Sequence, residues 1–176
     1  MYKTKALFIG CGDAQELLPL ADQQEQLLIG LEPTDELFAR ACDNLKDFKN
    51  VLLIKQRIQD WEAAEYLGDI DQIFFIFPTP AVLRGQAKVN TAKIFSLLSQ
   101  NGVFILYTEV TLTDWPDPDD RARLQAFLQS LSEECLSITV AEINYEQLPL
   151  MAKQSHCGIL FKAHNITKFT LIEAKK

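Results

Sequence analysis

Short apolar runs and amphipathic segments alternate along most of this chain. Five apolar runs have the length of strands, at Ala6–Ile9, Leu27–Leu31, Val51–Ile54, Gln72–Phe77 and Val103–Tyr107. The segments between them carry apolar residues at helical spacing, at Ala14–Ala21, Asp35–Asn44, Asp60–Tyr66 and Gln86–Ser99. Strands that alternate with helices form β-α-β units. The pattern therefore predicts an α/β fold with a mostly parallel sheet and helices on both faces.

The last third of the chain has a different pattern. A helix is predicted from Asp117, which can cap it, through Pro118 at the first helical position, to about Glu133. Ser137–Ile143 and Gly158–Lys162 are predicted as two strands that form an antiparallel pair, with no helix between them. The prediction is therefore one domain with a seven-stranded sheet. Its core spans about residues 5–163, and residues 164–176 form a tail or an edge segment.

Charge and composition narrow the classes of partner. The 176 residues carry a net charge of -7, and the basic residues are scattered along the chain. This disfavours an extended RNA or DNA footprint, although it leaves a local one open. No apolar run approaches the roughly 18 residues of a membrane span, and no secretory leader precedes the first strand. We therefore expect a soluble, cytoplasmic protein, and a protein partner remains open.

The cysteines and histidines do not predict a metal site. No two cysteines have C-x-x-C spacing, so we expect all of them to be free thiols. His156 and Cys157 are neighbours in sequence, but zinc requires three or four ligands.

Two glycines follow the first predicted strand as G-x-G, and a lone carboxylate follows the second strand. They are Gly10 and Gly12, with Glu32 20 residues after the second glycine. Glycines let the backbone approach a ligand closely, and a carboxylate at a strand end can accept hydrogen bonds from a ribose. Alternatively, Glu32 caps the helix that begins near Thr34. We predict a site for an adenosine-bearing cofactor.

The spacing of small residues in this turn separates two classes of cofactor. A dinucleotide fingerprint requires a third glycine at the position of Gln15, so that fingerprint is incomplete. Gly10, Gly12 and Ala14 instead match the tighter turn of proteins that bind S-adenosylmethionine. A sheet that ends in an antiparallel pair is also typical of methyltransferases that use this cofactor. S-adenosylmethionine is the predicted cofactor, and a nucleotide-binding oxidoreductase is the weaker alternative.

Three longer runs resemble motifs of the bacterial tRNA (guanine-N7-)-methyltransferase family. IDQIFFIFPTPAVLRG resembles the family's I-D-x-I-x-x-x-F-P-D-P-W-P-K-K-R, and LLSQNGVFILYTEVTLTDW resembles L-x-P-G-G-x-x-x-x-x-T-D. NYEQLPLMAKQSHCGILFKA resembles the stretch with T-x-x-E and G-H-x-I. Their order and spacing are kept over roughly Lys5–Ala163, nearly the whole chain. The resemblance implies a Rossmann-like class I methyltransferase fold.

The resemblance also implies roles for individual residues. The implied cofactor residues are Gly10, Gly12, Glu32, Arg57 and Phe77. The positions that face the methyl acceptor are Thr79, Glu109 and Glu146, and the basic cluster that grips tRNA is reduced to Arg84 and Lys88. Three family acids are replaced, by Phe8 before the first glycine, by Arg57 after the third strand and by Thr79 in F-P-D-P.

These features support two functions. The first is a methyltransferase that acts by direct displacement and needs no obligatory general base. The second is a non-catalytic relative that acts as a binding or partner subunit. A crevice over Gly10–Gly12 filled by Phe8 and Arg57, or a parallel terminal strand, would contradict the first.

Overall fold

The computed structural model describes residues 2–78 and 87–176, with the backbone alone for residues 87–89. The described strands are β1 Thr4–Ile9, β2 Gln26–Leu31, β3 Val51–Ile54, β4 Ile70–Ile76, β5 Leu98–Thr108, β6 Ser137–Asn144 and β7 Lys168–Lys175. The described helices are α1 Leu18–Ala21, α2 Asp35–Leu45, α3 Ala87–Leu97, α4 Pro118–Glu134, α5 Leu150–Gln154 and α6 His156–Ala163. None of these helices is long and apolar enough to cross a membrane.

The described strands form a single sheet of seven strands in the order β3-β2-β1-β4-β5-β7-β6. The pairs from β3 to β5 are parallel, whereas β7 runs antiparallel to both β5 and β6. This confirms the predicted α/β fold, a mostly parallel seven-stranded sheet that ends in an antiparallel pair.

Side chains on the two faces of the sheet form two apolar cores. Along β1, Leu7 packs into one core with α3 and α4, and the next residue, Phe8, packs into the other with α1, α2 and α5. Successive strand residues point to opposite faces, so a strand buried on both faces requires an uninterrupted apolar run. That requirement explains why the sequence predicted the strands of the parallel half.

The sequence prediction was wrong about the position of the second strand of the antiparallel pair. Gly158–Lys162 lies within α6, and the strand that pairs with β6 is β7, in the segment predicted as a tail or edge. α5 and α6 connect the two strands, where no helix was predicted. The local reason is Ser155, whose Oγ accepts a hydrogen bond from the Gly158 backbone N–H (3.1 Å) and caps α6.

Two predicted helices are shorter in the structure, whereas the capped helix was correct. Ala14–Ala21 contains only α1, which has Pro19 in its first turn, and Asp60–Tyr66 contains a single 3₁₀ turn at Ala64–Tyr66. The Asp117 side chain caps α4 by accepting a hydrogen bond from the Asp119 backbone N–H at 2.8 Å, as predicted.

Candidate functional site

A crevice opens at the carboxyl ends of β1, β2 and β4, where strand order turns in opposite directions on the two sides of β1. Such a switch point is where open α/β sheets bind ligands. The crevice consists of two adjoining cavities of about 350 Å³ and 320 Å³, which share Gly10, Pro33 and Phe75 in their linings. The sequence-predicted turn therefore borders both cavities.

The turn after β1 presents bare backbone to this crevice. Gly10 and Gly12 have φ angles of +67° and +55°, a region that L side chains rarely adopt. A Cβ atom built at either glycine would meet no atom within 4 Å. The Cys11 backbone N–H donates to the Leu31 carbonyl at 2.9 Å, which holds the turn against β2. Open space and positive φ together fit the predicted close approach of a ligand.

Glu32 is buried, and two backbone groups hold its carboxylate. Oε2 accepts a hydrogen bond from the Gly12 N–H at 2.9 Å, and Oε1 accepts one from the Thr34 N–H at 2.8 Å. Thr34 is the N-cap residue of α2, so the carboxylate reaches the start of that helix while it also lines the 320 Å³ cavity. A carboxylate accepts about four hydrogen bonds. Glu32 therefore retains acceptor capacity for a ligand.

The 350 Å³ cavity is mainly apolar. Ile9, Leu31, Ile58 and Phe75 contribute to its wall, and the exposed Arg57 also lines it. Phe8 does not fill the crevice. Its ring stacks on that of Phe74 within the core, at 4.9 Å between centroids and 19° between planes. Among the described residues, the crevice is open.

The 320 Å³ cavity has acidic groups on one wall and the start of α6 on another. Asp13, Glu16 and Glu32 line it from the first two strand ends, and His156 and Cys157 line it from α6. Only 6% of Glu16 is exposed. Burial, and secondarily the negative charge of Asp13 and Glu32, raises the pKa of Glu16 to about 8, against the opposing effect of its own backbone N–H.

Sequence reasoning missed both Glu16 and the segment Ser155–Cys157. In sequence, Glu16 is one acid in a turn, and only the folded structure shows that it is buried beside the cavity. Ser155–Cys157 lies more than 120 residues from the glycine turn. This segment lines the cavity at the start of α6, a helix where the sequence predicted a strand. The S-x-x-G start of a capped helix was the available signal.

Phe77 lies at the end of β4 in a strained backbone conformation. Its φ is +50°, which is unusual for a bulky residue, and its N–H donates to the Tyr107 carbonyl at 2.8 Å. The ring packs edge-on against Phe161 at 4.9 Å and also contacts Phe169, while Phe77 and Pro78 line the 320 Å³ cavity. Strain of this kind concentrates at functional sites.

The structure separates the predicted acceptor-side residues. Glu109 follows β5 and is partly buried, and its Oε2 has no hydrogen-bond partner among the described residues. Burial, followed by the charge of Asp120, raises its pKa above the ordinary value. Glu146 has an 89% exposed side chain and is not among the described cavity linings. Thr79 and Arg84, and the side chain of Lys88, lie outside the described residues.

Metal-ligand chemistry has no candidate within the described part of the chain, which contains no group of three or more side chains placed to hold an ion. All four cysteines, Cys11, Cys42, Cys135 and Cys157, are free thiols. Burial raises the pKa of the Cys157 thiol, and the charges of Glu109 and Glu16 raise it further. Cys157 is thus within electrostatic range of both carboxyl groups.

Solved methyltransferases share this fold. The 16S rRNA methyltransferase KamB superposes with a TM-score of 0.73 at 12% identity, covering 99% of this chain and 88% of that one. An antibiotic-related methyltransferase gives 0.71 at 18% identity, with coverage of 99% and 88%. The 16S rRNA (adenine(1408)-N(1))-methyltransferase from Catenulisporales acidiphilia, solved with its cosubstrate SAM, gives 0.69 at 14% identity and covers 99% and 86%. No family model and no curated protein matches the sequence.

Proposed function

We propose that this chain is an S-adenosylmethionine-dependent methyltransferase. The observation that carries the proposal is the open crevice at the switch point, where the bare backbone of Gly10 and Gly12 lies beside the buried carboxylate of Glu32. The similarity in fold to solved methyltransferases supports the same class of activity. Gln15, which stands where a dinucleotide fingerprint has its third glycine, disfavours an oxidoreductase that binds a dinucleotide. The antiparallel β7 disfavours it as well.

The residues of the crevice fit the three parts of this cofactor. The apolar 350 Å³ cavity suits an adenine ring, and the free acceptor sites of Glu32 suit ribose hydroxyl groups. The 320 Å³ cavity on the other side of Gly10 suits the methionyl end. Both volumes fall in the range of small-ligand sites, which begins at roughly 300 Å³.

In the proposed reaction, the main tasks of the protein are to bind the cofactor and to align it with the methyl acceptor. When bound, S-adenosylmethionine supplies a methyl group that its sulfonium already activates for displacement by a lone pair. The chain would hold the reacting partners in line and keep water out, which is a large part of many catalysed transfers. Phe77 and Pro78, which line the 320 Å³ cavity, are suited to that role. Thr79, Glu109 and Glu146 remain predicted contacts of the acceptor.

For the acceptor, we propose a ring nitrogen with a free lone pair, as the resemblance to the tRNA guanine-N7 family suggests. Such an acceptor requires no obligatory base. Arg84 and Lys88 would supply the contact with an RNA backbone, and the net charge of -7 argues that this contact is local or shared with a partner protein. Transfer of labelled methyl groups to tRNA, compared with isolated guanosine, tests this assignment.

A non-catalytic binding subunit is the second candidate, and Arg57 is the observation that favours it. Arg57 lines the apolar cavity, and a guanidinium cannot accept a hydrogen bond from an adenine amino group. The loss of one charge-assisted hydrogen bond costs about 1.5–3 kcal/mol of affinity. This candidate predicts weak cofactor binding or binding without methyl transfer.

Calorimetric titration with S-adenosylhomocysteine tests the proposal, and the chain offers a matched control. Gly12 and Gly68 both have positive φ, and a Cβ at either position meets nothing within 4 Å. Gly12→Ala and Gly68→Ala therefore carry a similar backbone strain of about 1–2 kcal/mol. Only Gly12→Ala adds a methyl group inside the crevice, so we expect it to weaken binding at least tenfold while Gly68→Ala binds normally.

The same titration can overturn the proposal, and the methyl-transfer assay separates an enzyme from a subunit that binds the cofactor without transfer. Failure of the wild-type protein to bind S-adenosylhomocysteine would overturn the methyltransferase proposal. Binding that Gly12→Ala leaves unchanged would place the ligand elsewhere and would also overturn it. Glu32→Gln should weaken binding by roughly tenfold or more, because the amide loses the charge that strengthens its acceptor bonds.

A further inference from the structure

We propose that the Glu16 carboxylate binds the ammonium group at the methionyl end of the cofactor. The inference rests on the proposed function and assigns a binding residue that the sequence did not identify. Glu16 lines the 320 Å³ cavity beside Gly10 and Gly12, on the side away from the apolar 350 Å³ cavity. With adenine in the apolar cavity and ribose at Glu32, the methionyl end extends toward Glu16.

No contact with another described residue explains why the Glu16 carboxyl group is buried. Only 6% of the residue is exposed, yet no ion pair or hydrogen bond with another residue reaches its carboxyl group within the described part of the chain. A buried carboxyl group without a partner is costly, so a native fold that keeps one has a reason to do so. A cationic ligand group in the cavity supplies the missing partner.

The electrostatics of the cavity favour a cation. Three carboxyl groups line it, whereas His156 is the one basic side chain among the described lining residues. Phe8, two residues before the first glycine, is stacked on Phe74 in the core and adds no charge to the cavity. Lys153 lies on α5 outside this lining and contacts Glu146 instead. Glu16 is therefore the buried carboxyl group of this cavity that lacks a partner from another described residue.

Binding of an ammonium group should change the protonation of Glu16. Because burial raises its pKa to about 8, the free protein at pH 7 holds this carboxyl group mainly in its neutral form. An adjacent positive charge lowers the pKa and releases a proton. The titratable groups that face Glu16 across the cavity are Cys11, Asp13, Glu32, His156 and Cys157.

Two ligands and two variants test the assignment. S-adenosylhomocysteine carries the ammonium group, and 5′-methylthioadenosine lacks the amino-acid end. Glu16→Gln keeps the shape of the neutral carboxyl group, and Glu25→Gln is the control, on an exposed acid that pairs with Lys3 at 2.7 Å. We expect Glu16→Gln to weaken binding of S-adenosylhomocysteine roughly ten- to hundredfold and to leave methylthioadenosine within about twofold. Glu25→Gln should leave both affinities unchanged.

A pH series gives a second readout. Between pH 6 and 7.5, the wild-type affinity for S-adenosylhomocysteine should rise with pH, by up to about tenfold per unit, because one proton is released on binding. The affinity for methylthioadenosine, and both affinities of Glu16→Gln, should lack this rise. Because the other titratable groups are present in every arm, the difference between arms isolates Glu16.

The outcomes are distinguishable from failure of the proposed function. If the wild-type protein binds neither ligand, the proposed function fails. If it binds both, and Glu16→Gln weakens neither or weakens both equally, the cofactor site stands and the assignment of Glu16 is overturned. A circular dichroism spectrum and a thermal transition that match the wild type establish that Glu16→Gln is folded.

Discussion

The parallel half of the sheet and its C-terminal strand pair build facing walls of one crevice by different means. In the parallel half, the central strands β1, β2 and β4 are largely buried on both faces. The loop that follows each of these strands lines the site directly. In the C-terminal part, exposed and partly buried residues alternate along the edge strand β6. The wall comes from Ser155 at the junction of α5 and α6 and from the first residues of α6. The first wall therefore follows local sequence rules, whereas the second depends on long-range packing.

The aromatic cluster of Phe77, Tyr145, Phe161 and Phe169 joins the two parts. Phe169 at the start of β7 is fully buried, and its ring lies 5.6 Å from those of both Phe77 and Phe161. This contact ties the strained residue at the end of β4 to the C-terminal wall. The wall therefore positions part of the crevice as well as covering it.

The largest expected effect is that of Phe169→Ala. The lost burial and the cavity left behind should lower the free energy of unfolding by about 3–5 kcal/mol. Leu136→Ala is the control, because that side chain precedes β6 and is 87% exposed, and it should change stability by less than about 0.5 kcal/mol. Denaturant unfolding measures both. A loss below about 1 kcal/mol for Phe169→Ala would show that the two parts do not share a core.

A smaller loss of stability is expected when alanine replaces either of two tightly packed glycines, one from each part. A Cβ at Gly158 would collide with the backbone carbonyl of Ala152, whereas one at Gly30 meets the side chains of Cys11 and Leu53 at 2.8 Å. Side chains can move aside more easily than a helix backbone. We therefore expect Gly158→Ala to cost about 3 kcal/mol and Gly30→Ala about 1 kcal/mol.

The same denaturant experiment measures these two variants. Equal losses would mean that the junction of α5 and α6 is as adaptable as the side-chain packing around β2 in the parallel half. A larger loss for Gly30→Ala would contradict the comparison.

The last expected effect is a pH dependence of stability at Glu16, which is small over any single pH unit. Its pKa is about 8 in the folded protein and near the ordinary value of 4.5 when unfolded, so the folded state binds the proton more tightly. The stability that the protonated group contributes is present below pH 4.5 and is lost as the pH rises through 8. The loss is at most about 1.4 kcal/mol per pH unit.

Unfolding of the ligand-free protein at pH 5, 6 and 7 checks this sign. Relative to wild type, Glu16→Gln should gain stability as the pH rises, because an amide does not ionise. Glu25→Gln should follow the wild type across the series. Parallel curves for wild type and Glu16→Gln would exclude the raised pKa.

The sequence by itself determined the parallel half and the position of its ligand turn. The apolar runs of β1 to β5, the glycines at positions 10 and 12 and Glu32 at the end of β2 are local signals, because each strand buried on both faces must be continuously apolar. The cap of α4 at Asp117 is equally local.

Only the tertiary structure decided the C-terminal part and the chemistry inside the crevice. The apolar run Gly158–Lys162 suits a strand or a helix, and its helix is selected by the Ser155 cap and by packing against α5. β7 lies between β5 and β6, which no local pattern reveals. The burial of Glu16 arises from elements distant in sequence, and desolvation, which sets its proton affinity, exists only once those elements have packed together.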